Sequence, residues 1–149
     1  MQNFLRKTGF LFLCLLTAFT LFSENTFSAN SHPVFLSGIV EGFYGRPWSH
    51  DERKEIIRFI SSQGYNFYLY GPKDDFYHRS KWRLPYPETA FKKLVELIKL
   101  CKQQKIIFSF AVSPGLSIKY SSDKDFSFLC NKFEAVYRQG VRHFSLFLD

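Results

Sequence analysis

The sequence predicts an α/β fold in which parallel strands are joined by helices. Two observations carry that expectation. Apolar runs of strand length alternate with stretches whose apolar residues recur every three or four positions. Polar, glycine-bearing loops follow the carboxyl ends of the strands. Hydrophobic residues make up 46% of the 149 residues and aromatics 19%, with 19 Phe, a content that excludes a disordered chain. The length suits one domain and falls short of the roughly 250 residues of a complete (β/α)8 barrel.

The elements follow in order. Ser37–Glu41 is a short, largely apolar run that reads as a buried strand. Ser49-His-Asp-Glu52 has the form of a capping box, in which Ser49 and Glu52 satisfy each other's backbone N–H groups. Ile56, Ile57 and Ile60 continue at helical spacing, and Gly64 offers a left-handed stop. Asn66–Tyr70 is aromatic and reads as the second strand. After a polar loop, Gly71–Pro85, Pro87 fits the first turn of a helix. Phe91, Leu94, Val95, Ile98 and Cys101 form its apolar stripe. Ile106–Val112 is almost wholly apolar, as expected of a strand covered on both faces. Ser122 is the expected cap of a third helix, with Phe126, Leu129, Cys130, Phe133, Val136 and Tyr137 as its stripe and Gly140 as its end. His143–Leu148 is the fourth strand. Such alternation implies right-handed crossovers.

The first 28 residues read differently. Arg6 and Lys7 precede Thr8–Phe22, which is uncharged and rich in Phe and Leu. This is the pattern of a secretory signal peptide, and it is shorter than the roughly 20 residues of a membrane span. Residues 1–28 are therefore expected to be removed, with cleavage after Ser28 or Ala29. The mature chain would be secreted or periplasmic, with no stable membrane insertion. An uncleaved anchor that keeps the chain in the cell envelope is the alternative. Residues 34–149 form the remaining domain. Export permits a Cys101–Cys130 disulfide, but both cysteines sit in apolar helical stripes, so buried free thiols are the expectation.

The net charge is +7, from 20 Lys+Arg against 13 Asp+Glu. Lys92, Lys93, Lys99, Lys102 and Lys105 fall largely on the polar side of one helix, which reads as a solvated face. Nucleic-acid binding would instead interleave base-stacking aromatics with a basic stripe, so no nucleic-acid partner is expected.

Chemistry in α/β folds gathers at the carboxyl ends of the strands. Here those ends carry three notable groups. Glu41-Gly-Phe-Tyr-Gly-Arg-Pro-Trp48 reads either as an aromatic wall for a sugar ring or as a tight turn with anchoring aromatics. In Gly71-Pro-Lys-Asp-Asp75, Lys73 could donate to ligand hydroxyls with Asp74 or Asp75 orienting it, or the loop is a solvated ionic cluster. A metal held by Asp74, Asp75 and His78 lacks a supporting ligand cluster, so no metal is expected. Asp149 follows an apolar run, where a carboxylate is costly to desolvate and commonly faces a site, unless it is simply solvated.

Together these segments resemble the catalytic domain of family 84 glycoside hydrolases, the β-N-acetylglucosaminidases that include O-GlcNAcases and bacterial enzymes once called hyaluronidases. The resemblance rests on Gly38-Ile-Val-Glu-Gly-Phe-Tyr-Gly-Arg-Pro-Trp48, Tyr68-Leu-Tyr-Gly-Pro-Lys-Asp-Asp75, Tyr77-His-Arg79, Lys81-Trp-Arg83, Ala111-Val-Ser-Pro-Gly-Leu116 and Phe144-Ser-Leu-Phe-Leu-Asp149. It implies a (β/α)8 TIM barrel, of which this chain holds about the first four β/α units. It also implies retaining hydrolysis of terminal β-linked N-acetylglucosamine, with the 2-acetamido carbonyl as the nucleophile and no cofactor. By the same resemblance, Asp149 holds the acetamido N–H, while Lys73 and the backbone of Gly42 hold sugar hydroxyls. The partner is a GlcNAc-bearing glycan or glycoprotein.

Two departures stand out. Gly71 replaces a common alanine, and the acid/base aspartate that follows the orienting one in the family is not among the 149 residues. The resulting expectation is an inactive N-terminal portion of such an enzyme. The alternatives are a non-catalytic glycan-binding relic and a pseudogene product.

Overall fold

The structure, a computed structural model, describes residues 35–148. The expected signal peptide and Asp149 lie outside the described residues. The elements are β1 (Gly38–Glu41), α1 (His50–Ser62), β2 (Phe67–Tyr70), α2 (Glu88–Gln103), β3 (Ile107–Val112), α3 (Asp123–Tyr137) and β4 (His143–Leu146), with a 3₁₀ turn at Gly115–Ser117. The four strands form one sheet in the order β1-β2-β3-β4. Every pairing is parallel, with Glu41 opposite Tyr70, Tyr70 opposite Phe110, and Phe110 opposite Phe144. The alternating α/β expectation therefore holds element by element.

Local chemistry explains the helix starts. Ser49 accepts the Glu52 N–H while the Glu52 carboxylate accepts the Ser49 N–H, closing the expected capping box of α1. Ser122 accepts the Asp125 N–H at the start of α3. α1 stops before Gly64, whose φ of +81° is the left-handed turn that glycine adopts at little cost. Pro87 is the N-cap of α2 rather than its first-turn residue, and its extended ψ of 147° brings the chain into the helix at Glu88.

Because side chains alternate across a strand, the register sorts the sheet into two faces. One carries Ile39, Glu41, Tyr68, Tyr70, Phe108, Phe110 and Val112, and it packs against the helices. Its core includes Ile57 and Ile60 of α1, Leu94, Leu97, Ile98 and Cys101 of α2, and Val136 of α3. The other face carries Gly38, Val40, Phe67, Leu69, Ile107, Ser109, Ala111, His143 and Ser145, with the small residues Ser109, Ala111 and Ser145 clustered on β3 and β4. Ser109 and Ser145 lie within hydrogen-bond reach there, at 3.3 Å. Burial raises the Cys101 thiol to about 12, so it stays protonated.

Four expectations need correction. β1 is half exposed rather than buried, with Val40 56% exposed, because it is an edge of the described sheet. α3 keeps Leu129, Phe133 and Val136 of the expected stripe against the core but is rotated away from the rest of it. It turns Asp125, Lys132 and Val136 inward and leaves Phe126, Cys130 and Tyr137 exposed. The cause is polar: Asp125 takes a bidentate pair of bonds from Arg83, at 2.7 Å each, and Lys132 donates to the Leu84 carbonyl. Cys101 and Cys130 are both free, as expected, but Cys130 is exposed rather than buried. Finally, Lys105 lies beyond α2, where it adopts a left-handed φ of 58°. The other four lysines of the basic face are exposed on α2 as expected.

Gly38 lies tight against its neighbouring strand, and an added Cβ there would lie 1.7 Å from the Phe67 carbonyl oxygen. Backbone offers no rotamer escape, so Gly38→Ala is expected to destabilise the fold by about 1–3 kcal/mol or more, read from urea unfolding. The exposed substitution Lys99→Ala should stay within about 0.5 kcal/mol of the parent. Equal midpoints for Gly38→Ala and the parent would contradict the β1–β2 register.

Candidate functional site

The loops after β1, β2 and β3 meet at the carboxyl end of the sheet. The Ser113 N–H, just past β3, donates to the His78 carbonyl in the loop after β2 at 2.7 Å. At this end Glu41 is 1% exposed. The Arg53 Nε of α1 donates to both of its oxygens, at 2.8 and 3.1 Å, and the Tyr68 hydroxyl donates to its Oε2. Burial alone would lower the Arg53 pKa, but its bonds and charge contact with Glu41 outweigh that and hold it above the ordinary value. Arg53 also reaches Asp74 at 3.3 Å, so one guanidinium ties β1 and α1 to the loop after β2.

That loop is held nearly residue by residue. His78 Nε2–H donates to the Pro72 carbonyl at 2.6 Å, and Arg79 donates to the Lys73 carbonyl at 3.0 Å. Asp75 accepts from the Tyr70 hydroxyl at 2.8 Å, the Tyr86 hydroxyl at 2.7 Å and the Tyr77 N–H at 2.8 Å. Burial, followed by the nearby carboxylates, pushes the Tyr68, Tyr70 and Tyr86 hydroxyls above their ordinary pKa, so all three remain donors. Arg53 lies 5.7 Å from the Tyr70 ring centroid and packs across the same cluster.

The expected site residues separate clearly against this frame. Lys73 borders a cleft of about 190 Å³, lined also by Glu41, Phe43, Tyr44, Pro72 and Asp74. Its amine lies 5.1 Å from the Tyr44 ring centroid, a cation–π distance. Tyr44 is 79% exposed. Phe43 meets Trp48 edge to face at 4.8 Å, so the aromatic loop is partly an anchored turn and partly an open wall. Gly42 lies between two cleft residues. Its N–H bonds to the Val40 carbonyl at 3.1 Å, and an added Cβ would meet only Val40, at 3.7 Å. Packing therefore does not demand glycine at this position. At Gly71 a Cβ would meet Phe147 at 3.0 Å and Ala111 at 3.2 Å, so those side chains would have to give by a few tenths of an ångström.

Asp74 and Asp75 do not act as interchangeable partners of Lys73. Asp75 is turned into the tyrosine cluster and Asp74 is bridged to Arg53. The Asp74, Asp75 and His78 side chains diverge to different partners, and no group of metal-ligating residues occurs among the described residues. Asp149 lies outside the described residues. Sequence alone gives no role to Arg53 or Tyr86, although an arginine one helical turn after the capping serine, beside a strand ending in glutamate, is a faint signal for the first. Tyr70 and Tyr77 fall inside motifs that carry the resemblance, but their bonds to Asp75 could not be read there.

Known proteins resemble this chain over most of its length. The family model for beta-N-acetylglucosaminidase, NAGidase, matches residues 37–149. Over 127 residues the chain is 44% identical to the Protein O-GlcNAcase of Rattus norvegicus, which covers 85% of this chain and 14% of that protein. The Mus musculus protein is 44% identical over 115 residues, covering 77% and 13% respectively. A mutant of the Thermobaculum terrenum O-GlcNAc hydrolase superposes with a TM-score of 0.74 at 42% identity, over 76% of this chain and 25% of that one. The solved structure of CpGH84B gives 0.70 at 46% identity, over 74% and 20%. The chain thus spans about a seventh of the curated relatives' length.

His78 supplies a pH test of this site. Its ring is fully buried, and its Nδ1 has no partner among the described residues. Burial lowers its pKa despite the bond to Pro72. The folded chain therefore resists a proton that the unfolded chain accepts below about pH 6.5. Because the unfolded state then binds more protons, stability falls as pH drops through and below that value. The melting temperature should decline from pH 7.5 to pH 5, and His78→Gln, which keeps an N–H donor for Pro72, should flatten that part of the decline. An unchanged slope in the variant would refute this role of His78.

Proposed function

The chain belongs to the beta-N-acetylglucosaminidase family, and from that premise we propose that it forms part of a glycoside-hydrolase barrel that removes terminal β-linked N-acetylglucosamine. The observation that carries this reading is the family match over residues 37–149, together with a lysine and an exposed tyrosine beside a cleft at the strand carboxyl ends. Both edges of the sheet carry exposed apolar residues, Val40 on β1 and Phe144 and Leu146 on β4. This favours closure by further β/α units into the (β/α)8 ring, which leaves no edges.

In this reading Tyr44 flanks the sugar, while the Lys73 amine and the backbone of Gly42 hold its hydroxyls. Asp149 accepts the acetamido N–H and steers the carbonyl oxygen onto the anomeric carbon, giving retention through an oxazoline. The substrate is a GlcNAc-modified glycan or protein. A polypeptide of these 149 residues lacks the adjacent acid/base aspartate, a group whose general acid–base contribution is about 10²–10⁴-fold. On its own it should therefore not turn over an aryl β-N-acetylglucosaminide. Weak N-acetylglucosamine binding without turnover is the glycan-binding alternative.

The direct test grafts residues 35–149 in place of the matching segment of the Thermobaculum terrenum enzyme. The chimera should hydrolyse an aryl β-N-acetylglucosaminide, and Lys73→Ala should lower its kcat/KM by about 10–100-fold, the loss of one charged hydrogen bond at about 1.5–3 kcal/mol. A folded but inert chimera, or an unchanged kcat/KM in the variant, would overturn the reading. We further propose that residues 1–28 direct export, on the strength of Arg6, Lys7 and the apolar stretch after them. Amino-terminal sequencing of protein secreted by a bacterial host should begin at Ala29 or Asn30, and retention of Met1 would refute cleavage.

A further inference from the structure

A second cavity, of about 450 Å³, lies between α2 and α3 beneath the segment 83–86. Its size falls within the roughly 300–1,000 Å³ common for small-molecule sites. Leu84, Pro85, Tyr86, Phe91 and Phe128 give it apolar walls, and Lys132 of α3 also lines it. Lys132 is 5% exposed. Its amine donates to the Leu84 carbonyl and lies 4.6 Å from the Tyr86 ring centroid and 5.9 Å from that of Tyr77.

No carboxylate lines this cavity, and no ion pair engages Lys132 among the described residues. Asp75, whose charge reaches the amine, is committed to Tyr70, Tyr77 and Tyr86, and Asp125 is committed to Arg83 at the rim. A buried ammonium ordinarily finds an anion, and here one carbonyl and two ring faces compensate it only in part. The missing chemistry is a single negative charge carried on a flat apolar body.

We propose that this cavity is a binding site for small aromatic carboxylates. The carboxylate pairs with the Lys132 ammonium, and the ring lies against Tyr86, Phe91 and Phe128. The site is separate from the cleft at Lys73, and the proposal does not depend on the sugar chemistry assigned there.

The titration behaviour supplies a signature. Burial lowers the Lys132 amine to about 8, against a smaller opposing effect of Asp75. The groups facing it are Asp75, Tyr77, Arg83 and Tyr86 from the loop after β2. α2 contributes the uncharged Phe91, and α3 itself contributes the uncharged Phe128 and Asn131. Tyr86 is held protonated far above this range. A carboxylate bound to Lys132 should raise the amine's pKa and release its hold as the amine deprotonates.

Calorimetric titration of the 149-residue chain with 2-naphthoate tests the proposal. Saturable one-site binding is expected at pH 7, with affinity falling toward about tenfold per pH unit once the amine is neutral. Neutral 2-naphthamide should bind at least about tenfold more weakly. Lys132→Met keeps the side-chain length and should remove both the affinity and its pH dependence. Should that variant fail to fold, Asn131→Trp, at an exposed rim position, should block the cavity and abolish binding. Absence of saturation at millimolar ligand, equal affinity for the amide, or retained binding in either folded variant would overturn it.

Discussion

The carboxylate of Glu41, buried at the end of an edge strand, sets the geometry of the carboxyl end of the sheet. A buried, unpaired carboxylate costs several kcal/mol, so the fold must bring donors to it. Arg53 comes from α1, which fixes that helix over β1, and Tyr68 comes from the neighbouring strand. With its second nitrogen the same arginine reaches Asp74, so the demand at β1 also positions the loop after β2. Asp75, His78 and Arg79 complete the hold on that loop, and Lys73 is presented from a backbone fixed on either side. The residues that give the site its shape are therefore mostly ones that do not face its cleft.

The two faces of the sheet divide the work. The helix-facing side is aromatic and well packed, and it buries polar atoms only where each finds a partner, the His78 Nδ1 being the exception among the described residues. The opposite side carries Ser109, Ala111 and Ser145, and Gly71 approaches Phe147 and Ala111 closely. Ser109 and Ala111 are buried there, with Phe147 close against Gly71, so this face is packed as well. Sites built on rigid elements hold their geometry better than sites on free loops. Here the loop after β2 acquires that rigidity from side chains rather than from regular structure.

The sequence made legible whatever is governed by local rules. The capping box at Ser49 and Glu52, the cap at Ser122, the stop at Gly64 and the alternation of strands with helices all follow from neighbours a few residues apart. The rotation of α3 did not, because Asp125 and Lys132 are drawn inward by Arg83 and Leu84, more than forty residues away in the chain. The exposure of β1 escaped for a related reason, since a strand's apolar pattern does not say whether it has one neighbour or two. In the site, Lys73 and Gly42 stood out through motif resemblance. Arg53 and Tyr86 are ordinary in sequence and gain their roles only through contacts eleven or twelve residues away in the chain. The four exposed lysines of α2, of 20 Lys+Arg in the chain, take no part in either cavity.

The central claim is that Glu41 and Arg53 act as one unit, and a double-mutant cycle in urea unfolding measures that unit directly. The account predicts that Glu41→Gln and Arg53→Met each destabilise the chain, and that together they cost less than the two separate effects by about 1–3 kcal/mol. Effects that add to within about 0.3–0.5 kcal/mol would show the two side chains to be independent and would contradict the account.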